Sequence, residues 1–208
     1  MINITLLDEI VSSKSKLLAV TKYWNKNETI NIISEIKKHN PNLLFGIGEN
    51  RIEKIIEKDL PRESTHFIGN IQSKKIDQII EYCSTIHSLG NLKHAQIIDT
   101  LSKEKGIITK VFLQVKLDNE KDSGINTIDF PLILEQIKKL ENIKIIGISG
   151  MGAGEFSLEE KEKEFDTLVN LRDKYLPGKL ISAGTSRDYK IALKYGIEVV
   201  RIGSKIIN

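Results

Sequence analysis

Leu17-Leu18-Ala19-Val20 runs directly into Thr21-Lys22. The first four residues are apolar without a break. A strand with one wet face alternates apolar and polar residues. A strand covered on both faces reads as an uninterrupted apolar run, the pattern of a parallel sheet packed under helices. Comparable short runs follow at 43–47, 66–69, 85–89, 111–117, 143–148, 179–182 and 198–202, and several are also continuous. Together they make eight candidate strands.

Helix-like stretches separate them. In 27–38, Ile30, Ile33 and Ile36 share one face, and Asn27 reads as the N-cap. Further amphipathic stretches occupy 50–58, 74–83, 91–105, 129–140, 158–175 and 186–195, and an opening helix spans 3–11. Eight strands alternating with helices over this length are what a single (β/α)8 barrel of the TIM type requires. A doubly wound open sheet is the structural alternative. The composition does not shift along the chain and no long linker interrupts it, so residues 1–208 are expected to form one domain.

The composition narrows the classes of function. Hydrophobic residues make up 40% and charged residues 28% of 208 residues, which fits a globular chain with a real core and excludes a low-complexity one. No stretch approaches the roughly 20 apolar residues of a membrane helix. The first 14 residues carry Asp8 and Glu9 and lack a cleavage-site pattern, so no signal peptide is expected. The net charge of +3 is too small and too dispersed for a nucleic-acid footprint. A single cysteine, Cys83, excludes an internal disulfide and a cysteine-based zinc site, and a cytoplasmic location is expected.

In a parallel barrel, chemistry gathers at the carboxyl ends of the strands. Lys22 follows the first run and would direct its amine into the mouth. Partial burial and cationic neighbours there would free its lone pair for a Schiff base. The bland alternative is a solvated lysine. The turns Ala183-Gly184-Thr185-Ser186 and Gly203-Ser204 follow the seventh and eighth runs, where barrels commonly hold a phosphate. Glycine allows close backbone approach, the hydroxyls can donate, and a helix beginning at Ser186 would present free amides. Ordinary turn and capping chemistry is the alternative.

Other signals weigh less. Gly150-Met151-Gly152-Ala153-Gly154 fails the nucleotide-loop spacing, since Glu155 stands where the third glycine belongs. His39, His66, His87 and His94 lack metal-ligand spacing and are expected to be structural. Cys83 is expected to be a packing thiol.

Taken together the motifs resemble a known family. They are Leu18-Ala19-Val20-Thr21-Lys22, Gly48-Glu49-Asn50, His66-Phe67-Ile68-Gly69 with Gln72-Ser73 and Lys75, Ser123-Gly124, Ser182-Ala183-Gly184-Thr185-Ser186 with Asp188, and Val200-Arg201-Ile202-Gly203-Ser204. In this order and spacing the chain resembles the pyridoxal phosphate homeostasis proteins, the YggS/PROSC family. The resemblance implies a barrel like the N-terminal domain of alanine racemase that binds pyridoxal 5′-phosphate (PLP). It implies Lys22 as the aldimine lysine, Asn50 as a cofactor contact, Ser186, Gly203 and Ser204 as phosphate ligands, and Arg201 as the partner of the pyridine nitrogen.

The chain departs from the family pattern at several places. Asp122 stands where the family usually has Lys, Lys116 where it often has Asn, and Lys74 where it usually has Asn. A Ser149-Gly150-Met151-Gly152 segment replaces a Met- and Pro-containing one, and the chain stops at Asn208. The departures fall on the expected rim of the site, at Lys116, Asp122 and Ser149.

Three functions are weighed. The resemblance implies a non-catalytic PLP carrier acting in cofactor homeostasis, with apo PLP-dependent enzymes as recipients; a monomer is the default expectation, since no oversized apolar patch is evident in the sequence. A PLP-dependent amino-acid racemase would need a second acid/base opposite Lys22, and Tyr23, Tyr189 and Tyr195 are the nearest tyrosines to the expected strand ends. A sugar-phosphate enzyme without PLP would use the two turns alone.

Overall fold

The computed structural model describes residues 1–117, 123–150 and 157–207. Each apolar run forms a parallel strand beside its predecessor: β1 (Lys16–Val20), β2 (Leu44–Glu49), β3 (Thr65–Phe67), β4 (Thr85–Leu89), β5 (Thr109–Val115), β6 (Ile143–Gly150), β7 (Leu180–Ser182) and β8 (Val199–Ile202). β8 returns to pair with β1, with Leu18 opposite Arg201 and Ala19 opposite Ile202, so the sheet closes into a barrel in sequence order. Closure rules out the open sheet, which would leave β1 and β8 unpaired with each other.

Among the described residues, eight α-helices cover the barrel: α1 (Ile4–Ser12), α2 (Lys26–His39), α3 (Ile52–Lys58), α4 (Ile76–Tyr82), α5 (Leu92–Glu104), α6 (Phe130–Ile137), α7 (Leu158–Tyr175) and α8 (Tyr189–Lys194). α1 starts at Asn3, whose side chain accepts from the Leu6 amide at 3.1 Å, and buries Leu6, Leu7 and Ile10. α4 buries Ile76, Ile79 and Ile80. Burial of each such side chain contributes about 1.5–3 kcal/mol.

Two local expectations are corrected. The N-cap of α2 is Asn25, not Asn27: its side chain accepts from Glu28 N while Glu28 accepts from Asn25 N, a capping box. The buried face carries Ile32, Ile33 and Ile36, while Ile30, expected on it, lies exposed. The glycine-rich stretch beginning at Gly150 extends past β6 into Met151, Gly152, Ala153 and Gly154, which with Glu155 lie outside the described residues, as does Asp122.

The four rings of Phe45, His66, His87 and Phe112, from β2 to β5, meet in the barrel. Phe45 meets His66 edge-on at 5.2 Å, and His87 stacks on Phe112 at 4.3 Å. Gly46 leaves room for this: a Cβ there would fall 2.5 Å from His66 Nε2. The His66 and His87 rings share a hydrogen bond of 3.0 Å, and His87 Nδ1 lies 2.9 Å from Ser182 Oγ. Burial, reinforced by the Lys110 charge, holds the His66 pKa down at about 3. Burial likewise holds His87 well below its ordinary value. Both are therefore neutral core residues, the structural role expected of them.

Candidate functional site at the barrel mouth

Lys22, Asn50, Ser186, Arg201, Gly203 and Ser204 are dispersed over 183 positions of sequence (22 to 204), yet all six line one cavity of about 820 Å³. They come from the ends of β1, β2, β7 and β8, which the closed topology brings around one mouth. The volume falls within the usual range of small-molecule sites.

Lys22 lies two residues beyond β1 and is exposed to the cavity side of the mouth, not partly buried as its position had suggested. Its ammonium sits 4.7 Å from the centre of the Tyr23 ring. The strand ends before Thr21, so the side chain leaves the packed layer where water still reaches it.

One strand beyond β8 from the β1 end, the β7 turn is built differently from the expectation. α8 begins at Tyr189 and has six residues, so Ser186 is not its N-cap. Asp188 stands at the N-cap position, but its side chain caps no helix amide and turns back to Thr185 instead. Its Oδ1 accepts from the Thr185 amide at 2.6 Å and the Thr185 hydroxyl at 2.8 Å. That uses up the Thr185 donors and leaves Ser186 in the loop. The amides of Ser186, Gly203 and Ser204 have no hydrogen-bond partner among the described residues. Gly184 makes the turn with φ +83, where a side chain would also press within 2.6 Å of Ala192 Cβ. At Gly203 a Cβ would come 2.8 Å from the Val20 carbonyl oxygen. The backbone here is packed as closely as glycine allows, and Ser186, Gly203 and Ser204 line the cavity.

Arg201 points across the mouth, with Nη2 donating to the Gly150 carbonyl oxygen at 2.6 Å. Burial lowers its pKa to about 10, against an opposing pull from Asp188. At neutral pH it remains a cation and a pure donor. Tyr189 faces away: its hydroxyl donates to Glu9 at 2.7 Å, and burial first, then that bond, pushes its pKa up to about 12. Tyr195 packs on Phe165. Tyr23 lines the cavity, but beside Lys22 itself and not across from it. Ser149 is no rim residue. It is buried, and its hydroxyl donates to the His87 carbonyl. Lys116 is partly exposed beyond β5, its amide bound to Ile125 at 2.9 Å.

A feature not foreseen lies beneath the mouth. Lys58 and Glu49 form an ion pair with side chains 2% and 0% exposed. Removing one partner of such a pair typically costs about 3–5 kcal/mol. The signal in the sequence was the spacing: Lys58 falls on the same buried face of α3 as Ile52 and Ile55. Lys75 also reaches the cavity, paired with Glu53.

The donor set suits PLP. Open amides and the Ser186 and Ser204 hydroxyls match a phosphate dianion, Lys22 offers an amine, and Arg201 offers a donor to a ring nitrogen that carries no proton.

Comparison with known proteins agrees with this chemistry. Residues 2–207 match the family model of the alanine racemase N-terminal domain. A pyridoxal phosphate homeostasis protein of Synechocystis sp. is 31% identical over 169 residues, covering 76% of this chain and 77% of that one. The structure of PipY from Synechococcus elongatus with PLP bound superposes with a TM-score of 0.82 at 25% identity, covering 99% of this chain and 100% of that one. An alanine racemase of Clostridium difficile shares the fold alone, at a TM-score of 0.77 and 15% identity, with 98% of this chain matching 56% of that one. The chain belongs to the alanine racemase N-terminal domain family and, within it, to the pyridoxal phosphate homeostasis proteins.

Proposed function

We propose that the protein is a non-catalytic PLP-binding protein of cofactor homeostasis, with Lys22 as its attachment point. When bound, PLP supplies an aldehyde that condenses reversibly with an amine and a phosphate that accepts hydrogen bonds. Ser186, Gly203 and Ser204 hold the phosphate through open amides and hydroxyls. Each charge-assisted bond contributes about 1.5–3 kcal/mol. Arg201 orients the ring by donating to its nitrogen, and Asn50 borders the ring from the β2 side.

The observation that carries this reading is the convergence of all six residues on one cavity. A carrier must release its cargo, and Lys22 is exposed at the mouth. A racemase needs a second proton carrier opposite Lys22, and among the described residues no tyrosine lies there. We read the chain as one domain, a monomer working in the cytoplasm and delivering PLP to apo PLP-dependent enzymes. No helix among the described residues is long and apolar enough to cross a membrane.

The test is to mix the purified protein with PLP, reduce with borohydride and map the modified peptide. Label on Lys22 is the expected result. Label on another lysine, or none, overturns the assignment.

A further inference from the structure

Lys58 closes α3, and its ammonium turns inward beneath the mouth. Nζ donates to the Thr21 carbonyl oxygen at 2.6 Å, to Thr21 Oγ1 at 3.1 Å and to Glu49 Oε1. All three of its protons are thus engaged. Thr21 Oγ1 in turn donates to Glu49 Oε1 at 2.8 Å. Glu49 Oε2 is buried with no hydrogen-bond partner among the described residues.

As a stabilising device this cluster is a poor choice. Two charges leave water, and one carboxylate oxygen is left without a donor. An apolar pair of similar volume commonly serves stability as well or better. What the cluster does achieve is geometric. Thr21 immediately precedes Lys22, and Glu49 immediately precedes Asn50. The ammonium therefore ties the backbone that carries one cavity residue to the side chain beside another. The same segment is held by Thr21 N donating to the Gly48 carbonyl at 3.1 Å, and by Trp24 N donating to the Thr21 carbonyl at 2.9 Å.

The geometry points to Lys58 and Glu49 as a positioning pair that holds the Thr21-Lys22 backbone so that the Lys22 amine meets an aldehyde anchored by the phosphate cradle of the β7 and β8 turns. This rests on the proposed role of Lys22. The pair touches no ligand and moves no proton in the reaction. Its contribution is to limit the directions the β1 end can take.

The test compares two vitamers. Pyridoxine 5′-phosphate keeps the phosphate and ring but carries an alcohol in place of the aldehyde, so it reports the cradle alone. PLP with borohydride trapping reports the approach of Lys22. The double variant Glu49→Gln/Lys58→Met removes both charges together and strands neither. It is expected to melt near the wild-type temperature and to bind pyridoxine 5′-phosphate within about twofold of wild type. Its rate of trapping at Lys22 should fall about tenfold or more, since small misplacements of a reacting group carry large rate penalties. Trapping at the wild-type rate overturns the inference, and so does an equal loss of affinity for pyridoxine 5′-phosphate, which would mark general damage. Should the double variant fail to fold, Thr21→Val, which removes only the hydroxyl between the two charges, must slow trapping by about threefold with the fold and the cradle intact. An unchanged rate in that variant overturns the inference as well. A wild-type protein that carries no label at Lys22 instead sinks the underlying reading before any variant is made.

Discussion

Arg201, in β8, donates through Nη2 to the carbonyl oxygen of Gly150 at the end of β6, 2.6 Å away. The bond spans β7 and sets the guanidinium across the mouth. Its pKa, lowered by burial to about 10, still leaves it fully protonated at neutral pH. A permanent donor beside a pyridine nitrogen keeps that nitrogen without its proton and weakens the ring as an electron sink.

That weakening does not by itself forbid racemisation; together with membership of the pyridoxal phosphate homeostasis proteins it leads to the expectation of a protein that binds PLP without using it. L-Alanine incubated in D2O with PLP and the protein should exchange its α-proton no faster than with PLP alone. Rapid exchange that disappears in Lys22→Ala would place the protein among the racemases.

Ser204 and Lys22 should separate the two halves of binding. Ser204→Ala is expected to weaken PLP binding by about 1–3 kcal/mol, ten- to a hundredfold, as one bond to the phosphate is lost. Equilibrium titration measures it, and an unchanged affinity would move the phosphate elsewhere. Lys22→Ala should abolish the borohydride-trapped product while leaving weaker, non-covalent binding through Ser186, Gly203 and Ser204.

Acid should destabilise the barrel through its histidines. An unfolded histidine takes up a proton near pH 6.5, whereas buried His66 does so only near 3. Between those values the unfolded state binds more protons, so stability falls as pH drops from about 6.5 towards 3. The slope for His66 alone approaches about 1.4 kcal/mol per pH unit within that window. His87 acts in the same direction. Urea unfolding midpoints measured from pH 7.5 to 4 should decline steadily, and a flat series would show that the pair is not held neutral.

Cys83 should be inert while the protein is folded. It is fully buried, and burial pushes its pKa up to about 12, so almost no thiolate forms at neutral pH. A thiol-specific chromogenic reagent should react only as fast as the protein unfolds, with the full stoichiometry of one thiol recovered in denaturant. Fast labelling of the native protein would contradict the packing between α4 and β4.

The barrel was legible wherever burial is written locally. Short apolar, β-branched runs, several of them continuous, marked all eight strands, and Asn3 and Asn91 stand where helices begin. Local reading failed at two helix starts. Ser186 reads as a cap, but α8 begins three residues later, and the Asp188 side chain is drawn to the Thr185 amide and hydroxyl. Asn27 was read as the N-cap of α2, but Glu28 reaching back to Asn25 sets the cap two residues earlier. Lys22 was placed correctly at its strand end, but its exposure depends on how far β1 remains paired.

Sequence alone determined the order of strands and helices and the motifs at the strand ends, because the transfer of apolar residues out of water leaves its period in the chain. The tertiary structure alone decided which of those ends share a cavity and that Lys58 lies beneath Thr21, 37 positions away. Such contacts depend on closure of β8 onto β1 and on helix docking, and Coulombic and hydrogen-bond partners chosen through space leave no periodic mark along the chain.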